Sequence, residues 1–132
     1  MISRYNPKDR RRLQRLKLNI AVHYRVNEPL HIKVMVGDKE IEARMLDINI
    51  GGMGLLTDFN IPAYSLLLLK FSFFRTNKLG LVKPYGPIEA TGVVRYNILL
   101  EHDQYRLGIR FDKINKEDEE ELHKFVKMSL NP

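Results

Sequence analysis

Apolar and polar residues alternate along the first part of the chain, a pattern that predicts β-strands with one buried face. The first predicted strand contains the regularly spaced apolar residues Ile20, Val22, Tyr24 and Val26. Residues 31–36 alternate again, and the turn signal Gly37-Asp38 separates them from a third alternating stretch, residues 39–47. Because short glycine-containing turns join antiparallel strands, these two stretches are predicted to form a hairpin.

Four further strands are predicted after the glycines that follow this hairpin. Residues 53–57 resume the alternation, and the continuous apolar run at residues 66–74 predicts a strand packed on both faces. Glycines and prolines within residues 76–87 predict a loop. Strands then follow at residues 88–99 and 105–112, and we expect them to pair as a hairpin.

The last predicted element is an α-helix. Asn115 is a residue type that caps helices, and the acidic residues after it suit the positive end of the helix dipole. Apolar residues then recur at helical spacing, at Leu122, Phe125, Val126 and Leu130. Short antiparallel strands followed by one helix predict a mainly β fold, a small antiparallel barrel of six or seven strands with a C-terminal α-helix.

Charge changes this picture at the N-terminus. The chain has 132 residues, which suits one domain, and a net charge of +6, which favours an anionic partner. Such a partner could be a nucleotide, a nucleic acid, an acidic protein face or an anionic lipid surface. Residues 8–17 carry six basic residues and one acid. We therefore predict a flexible basic segment at residues 1–18 and a barrel with its helix at residues 19–132.

Several classes of protein are not indicated. The chain has no cysteine, which excludes disulfides and thiolate metal sites. The N-terminus lacks a signal-like apolar run, and the longest apolar stretch, residues 66–69, is too short to span a bilayer, so a cytoplasmic location is expected. The histidines are scattered over separate elements, and no phosphate-binding loop or nucleophile motif occurs. Neither a metal, a cofactor nor an enzymatic activity is predicted.

The first candidate binding feature is a run of arginines at Arg10, Arg11, Arg12 and Arg15. Arg11 and Arg15 are four residues apart, so one helical turn would point both guanidinium groups the same way. Each guanidinium is a planar fork of donors that matches phosphate oxygens or the O6 and N7 edge of guanine, and its flat face can stack on a base. By itself the run is more typical of a disordered basic tail that improves solubility or grips nucleic acid without specificity.

The second candidate feature is the sequence Asp-Ile-Asn-Ile-Gly-Gly at residues 47–52. Asp47 can accept hydrogen bonds from the N1 and N2 donors of guanine, and Asn49 can bond to a phosphate or a base. Gly51 and Gly52 would let a ligand approach the main chain. The alternative is an ordinary hairpin turn, in which these residue types are favoured for backbone reasons alone.

Taken together, the two features resemble the PilZ family, whose signature is RxxxR followed by D/N-x-S-x-x-G in a β-barrel. RxxxR corresponds to Arg11 and Arg15, and the second motif corresponds to Asp47, Asn49 and Gly52. Residues 92–95 and 105–111, with the acidic helix after them, look like the end of the family's domain. The resemblance spans residues 8–130.

This resemblance implies binding of cyclic di-GMP, with the arginines meeting guanine and phosphate while the second motif holds a guanine on the barrel. Arg10 stands where an additional arginine is found in members that resemble binders of two intercalated ligand molecules. The usual serine of the second motif is Asn49, whose bulkier amide puts the affinity in question.

The leading hypothesis is a receptor in which cyclic di-GMP orders the N-terminal arginines on the barrel and creates a surface for an unidentified downstream protein. A basic small barrel that binds nucleic acid is a less favoured alternative, with Tyr5, Tyr24 and Tyr85 as candidates for base stacking. A third hypothesis is a PilZ-like adaptor with degenerate motifs, which would bind proteins but no nucleotide.

Overall fold

Six antiparallel strands form a closed barrel in the computed structural model, which describes residues 16–130. The strands are β1 (Leu16–Glu28), β2 (Ile41–Asn49), β3 (Gly52–Thr57), β4 (Leu66–Thr76), β5 (Val82–Leu99) and β6 (Tyr105–Ile114). Around the barrel their order is β1-β2-β3-β6-β5-β4. The helices are α1 (Leu30–Met35) and α2 (Lys116–Leu130). The predicted mainly β barrel of six or seven strands with a C-terminal helix is confirmed.

The barrel interior is filled by side chains from alternate positions, as expected for a closed sheet. On β1, Val22, Tyr24 and Val26 are buried, in agreement with the sequence. The prediction that β4 is packed on both faces is wrong. Leu67, Leu69, Phe71 and Phe73 are buried, whereas the positions between them are partly or largely exposed. A closed barrel has one interior, and within residues 16–130 no second layer covers the outer face of β4 over its whole length.

Residues 31–35 belong to α1 and Val36 is its C-cap, so this stretch does not form the predicted strand. The carbonyl of Pro29 accepts hydrogen bonds from the backbone N–H groups of Ile32 and Lys33, which starts the helix. Ile32 and Val36, four residues apart, are buried in the core and fix this short helix on the barrel. The predicted hairpin partner of β2 is therefore wrong. β2 pairs with β1, in a register that includes Tyr24 opposite Ile41.

The loop predicted for residues 76–87 is also shorter in the structure. β4 and β5 continue as a two-stranded ribbon, residues 73–76 paired with residues 82–85, and only the tip at residues 77–81 lies between the strands. Pro84 fits into this strand because β5 begins to pair with β6 only at Ala90. A proline is tolerated where one edge of a strand has no ladder bond to make.

Helix α2 closes the end of the barrel from which the ribbon projects. Asn115 caps it as predicted, since its Oδ1 accepts hydrogen bonds from the N–H groups of Glu117 and Asp118 at 2.8 and 3.3 Å. Leu122 and Val126 are buried, and the ring of Phe125 stacks on Phe73 at a centroid distance of 4.4 Å. Within residues 16–130, no helix is long and apolar enough to cross a membrane.

Candidate functional site

A register shift in β2 places Asp47 on the outer surface of the barrel. The pairing of β2 with β3 shifts between Met45 and Asp47, and after the shift Ile48 lies opposite Met53 in the core. Neighbouring residues of a strand point to opposite faces, so Asp47 and its partner Gly54 face outward. Even so, Asp47 is only 5% exposed. An outward carboxylate that is this buried has to be held by its neighbours.

Arg106 and Gly54 both hold the Asp47 carboxylate. Arg106 of β6 reaches across β3 and forms an ion pair with Oδ2 through its Nη2. The backbone N–H of Gly54 donates to Oδ1 at 3.1 Å. A Cβ on Gly54 would lie 2.9 Å from Arg106 Nη2 and 3.0 Å from Asp47 Oδ1. Gly54 therefore provides the space in which the ion pair lies flat on the strand.

On the other side of Arg106, a second glycine again leaves room for a planar side chain. Arg106 also bonds to Tyr96 of β5, and the ring of Tyr96 lies directly over Gly108, where a Cβ would be 2.0 Å from the ring. Burial alone would lower the pKa of Arg106, but its hydrogen bonds to Asp47 and Tyr96, and their charges, raise that pKa above the ordinary value. Arg106 thus stays charged, and a planar guanidinium and a planar ring lie side by side on the barrel surface.

The turn between β2 and β3 is closed by Asn49. Its Oδ1 accepts hydrogen bonds from the N–H groups of Gly51 and Gly52 at 2.7 and 2.9 Å. Because both partners are N–H donors, the accepting atom is the oxygen, and the amide Nδ2 is the other end of the group. Gly52 approaches β6 so closely that a Cβ would lie 1.9 Å from the carbonyl oxygen of Ile109. The carbonyl of Gly51 accepts a hydrogen bond from Phe111 at 2.9 Å.

We call the surface formed by Asp47, Asn49, Gly54, Tyr96, Arg106 and Gly108 the Asp47 face. Of the sequence-predicted site residues, Asp47, Asn49, Gly51 and Gly52 lie together at one end of β2 and β3. Arg10, Arg11, Arg12 and Arg15 lie outside the described residues.

Sequence reasoning missed Arg106 and Tyr96. Strand alternation could have placed Arg106 and Gly108 on one face of β6. Alternation could not have shown that this face lies one strand away from Asp47. A group of three or more His, Cys, Asp or Glu side chains suited to a metal ion is absent from the described part of the chain.

Comparison with known families gives the class of the protein. The model of the PilZ domain matches residues 9–128, so the chain belongs to the PilZ family. This match spans both the arginine run and the Asp47 face. No curated protein matches the chain.

Solved structures agree with this fold. The Bacillus subtilis inhibitor of motility MotI/DgrA is similar with a TM-score of 0.63 and 16% identity, over 89% of this chain and 50% of that one. MrkH from K. pneumonia, in its apo state, is similar with a TM-score of 0.59 and 15% identity, over 98% of this chain and 53% of that one. The chain therefore spans about half the length of each of these two proteins.

Proposed function

We propose that this protein binds cyclic di-GMP on the Asp47 face, and that binding orders the arginine segment against the barrel for recognition by a partner protein. Membership of the PilZ family supports this class of ligand. The observation that carries the proposal is the start of β1, where Leu16 pairs with Ile48 and Lys17 with Asp47. Since Arg15 is bonded to Leu16, the arginine run is tethered within a few residues of Asp47.

Asp47 is the proposed acceptor for a guanine. The two oxygens of a carboxylate can accept several hydrogen bonds, and their spacing matches the adjacent N1–H and N2–H donors of a guanine. The guanidinium of Arg106 pairs with the ionised carboxylate, which is the form that accepts both bonds. Arg106 is therefore a positioning residue for Asp47.

Asn49 has two functions in this proposal. Its oxygen closes the turn with Gly51 and Gly52, and its amide nitrogen carries two N–H donors. Those donors suit a phosphate oxygen or the O6 of guanine. The replacement of the family's serine by Asn49 is thus compatible with a ligand contact, with the donor extended further from the backbone.

Planar groups complete the proposed site. Tyr96 is 39% exposed, and its ring lies next to the guanidinium of Arg106, so the two offer a surface on which a base can stack. The arginine run would contribute forked donors to the phosphates from the other side of the ligand. Arg10 supports a pair of intercalated ligand molecules, with further guanidinium planes between or beside the bases.

Isothermal titration calorimetry with cyclic di-GMP tests the proposal. We expect saturable binding of cyclic di-GMP near two molecules per chain. GTP and a single-stranded oligonucleotide are titrated separately for comparison. Binding of the oligonucleotide with a steep dependence on salt, and none of cyclic di-GMP, would favour the nucleic-acid alternative. Absence of heat with all three at high protein concentration would contradict the proposal and favour an adaptor that binds only proteins.

Substitutions test the assigned residues. Asp47→Ala and Arg15→Ala should each weaken binding about tenfold or more, because each removes hydrogen bonds to a charged group. Glu42→Ala, on the same strand as Asp47, and Arg25→Ala, at the opposite end of β1, are the matched controls and should bind like the unmodified protein. Thermal unfolding of each variant separates loss of binding from loss of the fold.

A further inference from the structure

The β4–β5 ribbon projects beyond the barrel. The pairing of β4 with β1 ends at Phe71, and the pairing of β5 with β6 begins at Ala90. Between these points, residues 73–76 and 82–85 pair with one another. An isolated two-stranded ribbon is marginal in water. Here α2 supports one side of it, through the stacking of Phe125 on Phe73.

The tip of this ribbon is a well-bonded turn that carries leucines. Asn77 Oδ1 accepts hydrogen bonds from the N–H groups of Leu79 and Leu81 at 2.9 and 3.0 Å, and Asn77 N donates to the Leu81 carbonyl at 2.9 Å. Gly80 takes the positive φ of +80° that the turn needs. The large apolar side chains here are nonetheless in solvent, with exposed fractions of 83% for Leu79, 54% for Leu81, 65% for Val82 and 63% for Phe74. A contiguous exposed apolar group of this kind marks an interaction surface.

Positive charge surrounds the apolar tip. Residues 72–87 contain Arg75, Lys78 and Lys83 and neither Asp nor Glu. Lys124 of α2 lines a groove of about 490 Å³ together with Lys78 and with apolar side chains of the ribbon and helix. Glu121, which also lines the groove, is bonded to Arg75 at 2.5 Å and to Lys124 at 3.3 Å.

The acidic beginning of α2 lies away from the tip. Asp118 accepts a hydrogen bond from Tyr85, at the base of the ribbon, at 2.7 Å. From there the helix runs along the ribbon toward Lys124 and Met128, which lie beside residues 77 and 78. The charge of α2 thus changes from acidic at the base to basic beside the tip.

We propose that the ribbon tip docks on an anionic lipid bilayer. Leu79 and Leu81 enter the interfacial region, while Lys78 and Lys83 contact the phosphates of the headgroups. The tip is convex, with its apolar side chains at the end of a projecting ribbon and its cations around them, so it suits an extended surface better than a peptide in a groove. The exposed apolar side chains of α1, Leu30 and Val34, lack this charge, since Lys33 beside them is paired with Asp38 at 3.9 Å.

Sedimentation with vesicles tests this proposal. We expect the protein to bind vesicles of mixed phosphatidylglycerol and phosphatidylcholine at low salt, and much more weakly vesicles of phosphatidylcholine alone. The double variant Leu79→Ser/Leu81→Ser should reduce partitioning about tenfold or more, because the buried apolar area is lost. Lys78→Gln/Lys83→Gln should reduce it about fivefold for each lysine. Leu30→Ser/Val34→Ser is the matched control and should bind normally.

A fluorescent reporter locates the contact. The chain has no tryptophan, so Leu79→Trp introduces a single reporter. Its emission should shift to shorter wavelength with phosphatidylglycerol vesicles and be quenched by brominated lipid, whereas Leu30→Trp should respond to neither.

Several results would overturn the proposal. One such result is failure of the unmodified protein to bind phosphatidylglycerol vesicles at low salt. Another is that the leucine and lysine double variants bind these vesicles as well as the unmodified protein does, since the basic N-terminal residues would then account for the binding. A shift of Leu79→Trp with a leucine-containing polyglutamate peptide but not with vesicles would assign the tip to an acidic protein. Self-association that only the tip variants abolish, without lipid binding, would assign it to a second copy. Circular dichroism checks folding, and the lysine variant tests the surface if the leucine variant unfolds.

Discussion

The Asp47 face and the ribbon tip are built from the same three parts. Each has an asparagine whose side-chain oxygen accepts two backbone N–H groups, Asn49 in one and Asn77 in the other. Each has an ion pair between an arginine and a carboxylate, Asp47 with Arg106 and Glu121 with Arg75. Each also contains glycine.

The two regions differ in what surrounds these parts. At the Asp47 face and in the turn beside it, Gly54, Gly108 and Gly52 each lie against atoms that a side chain would strike, whereas nothing lies within 4 Å of a Cβ on Gly80. The side chain of Asp47 is 7% exposed and that of its partner Arg106 is 31% exposed, against 17% and 51% for Glu121 and Arg75. The same local chemistry therefore fixes geometry where it is enclosed and presents side chains to solvent where it is not.

The largest effect should come from the enclosed glycines. Gly52→Ala should lower the free energy of unfolding by about 3 kcal/mol or more, because its Cβ would strike the Ile109 carbonyl of the neighbouring backbone, which cannot rotate away. Chemical denaturation measures this loss. Gly51→Ala is the adjacent control, with its nearest neighbour atom at 3.5 Å, and should have little effect. Equal stability of both variants would show that β3 and β6 are not packed this closely.

The next largest effect is the difference in unfolding free energy lost when each of the two ion pairs is broken. Arg106→Met removes the ion pair to the buried carboxylate of Asp47 and should destabilise the protein by about 2 kcal/mol. Arg75→Met breaks a more exposed pair and should lower the unfolding free energy by less than about 1 kcal/mol. Denaturant midpoints of the two variants provide the comparison. Similar losses would mean that burial does not distinguish the pairs.

The smallest effect concerns pH at the ribbon. Burial alone would raise the pKa of Glu121, but the hydrogen bonds and charges of Arg75 and Lys124 lower it below its ordinary value. A lowered pKa in the folded state stabilises the protein above the ordinary pKa of glutamate, and this contribution disappears as the pH falls through the lowered value. The difference in Tm between the unmodified protein and Glu121→Gln should therefore shrink between about pH 7 and about pH 3. A difference that is constant with pH would contradict the assigned ion pair.

The sequence predicted most of the fold because local patterns of residues indicate most of its strands and its C-terminal helix. Alternation identified β1, β2 and β3, and Asn115 with the acidic turn after it identified the start of α2. Local pattern failed where it was short or ambiguous. Residues 31–36 have apolar positions that fit both periods, and only the open end of the barrel selects the helix that buries Ile32 and Val36. The prolines of residues 76–87 predicted a loop, but a strand with a free edge accommodates them.

For the candidate site, the sequence by itself showed that one turn contains residue types suited to binding a ligand. Asp47, Asn49 and the glycines after them are neighbours in the chain, so their spacing was readable as a motif. Only the tertiary structure decided that Asp47 faces outward, through a register shift, and that it pairs with Arg106, 59 residues away. Barrel closure also placed β6 beside β3, with Gly54 and Gly108 directly opposite each other. Such contacts depend on which strands become neighbours, and strand order is set by the packing of the whole core rather than by any local stretch of sequence.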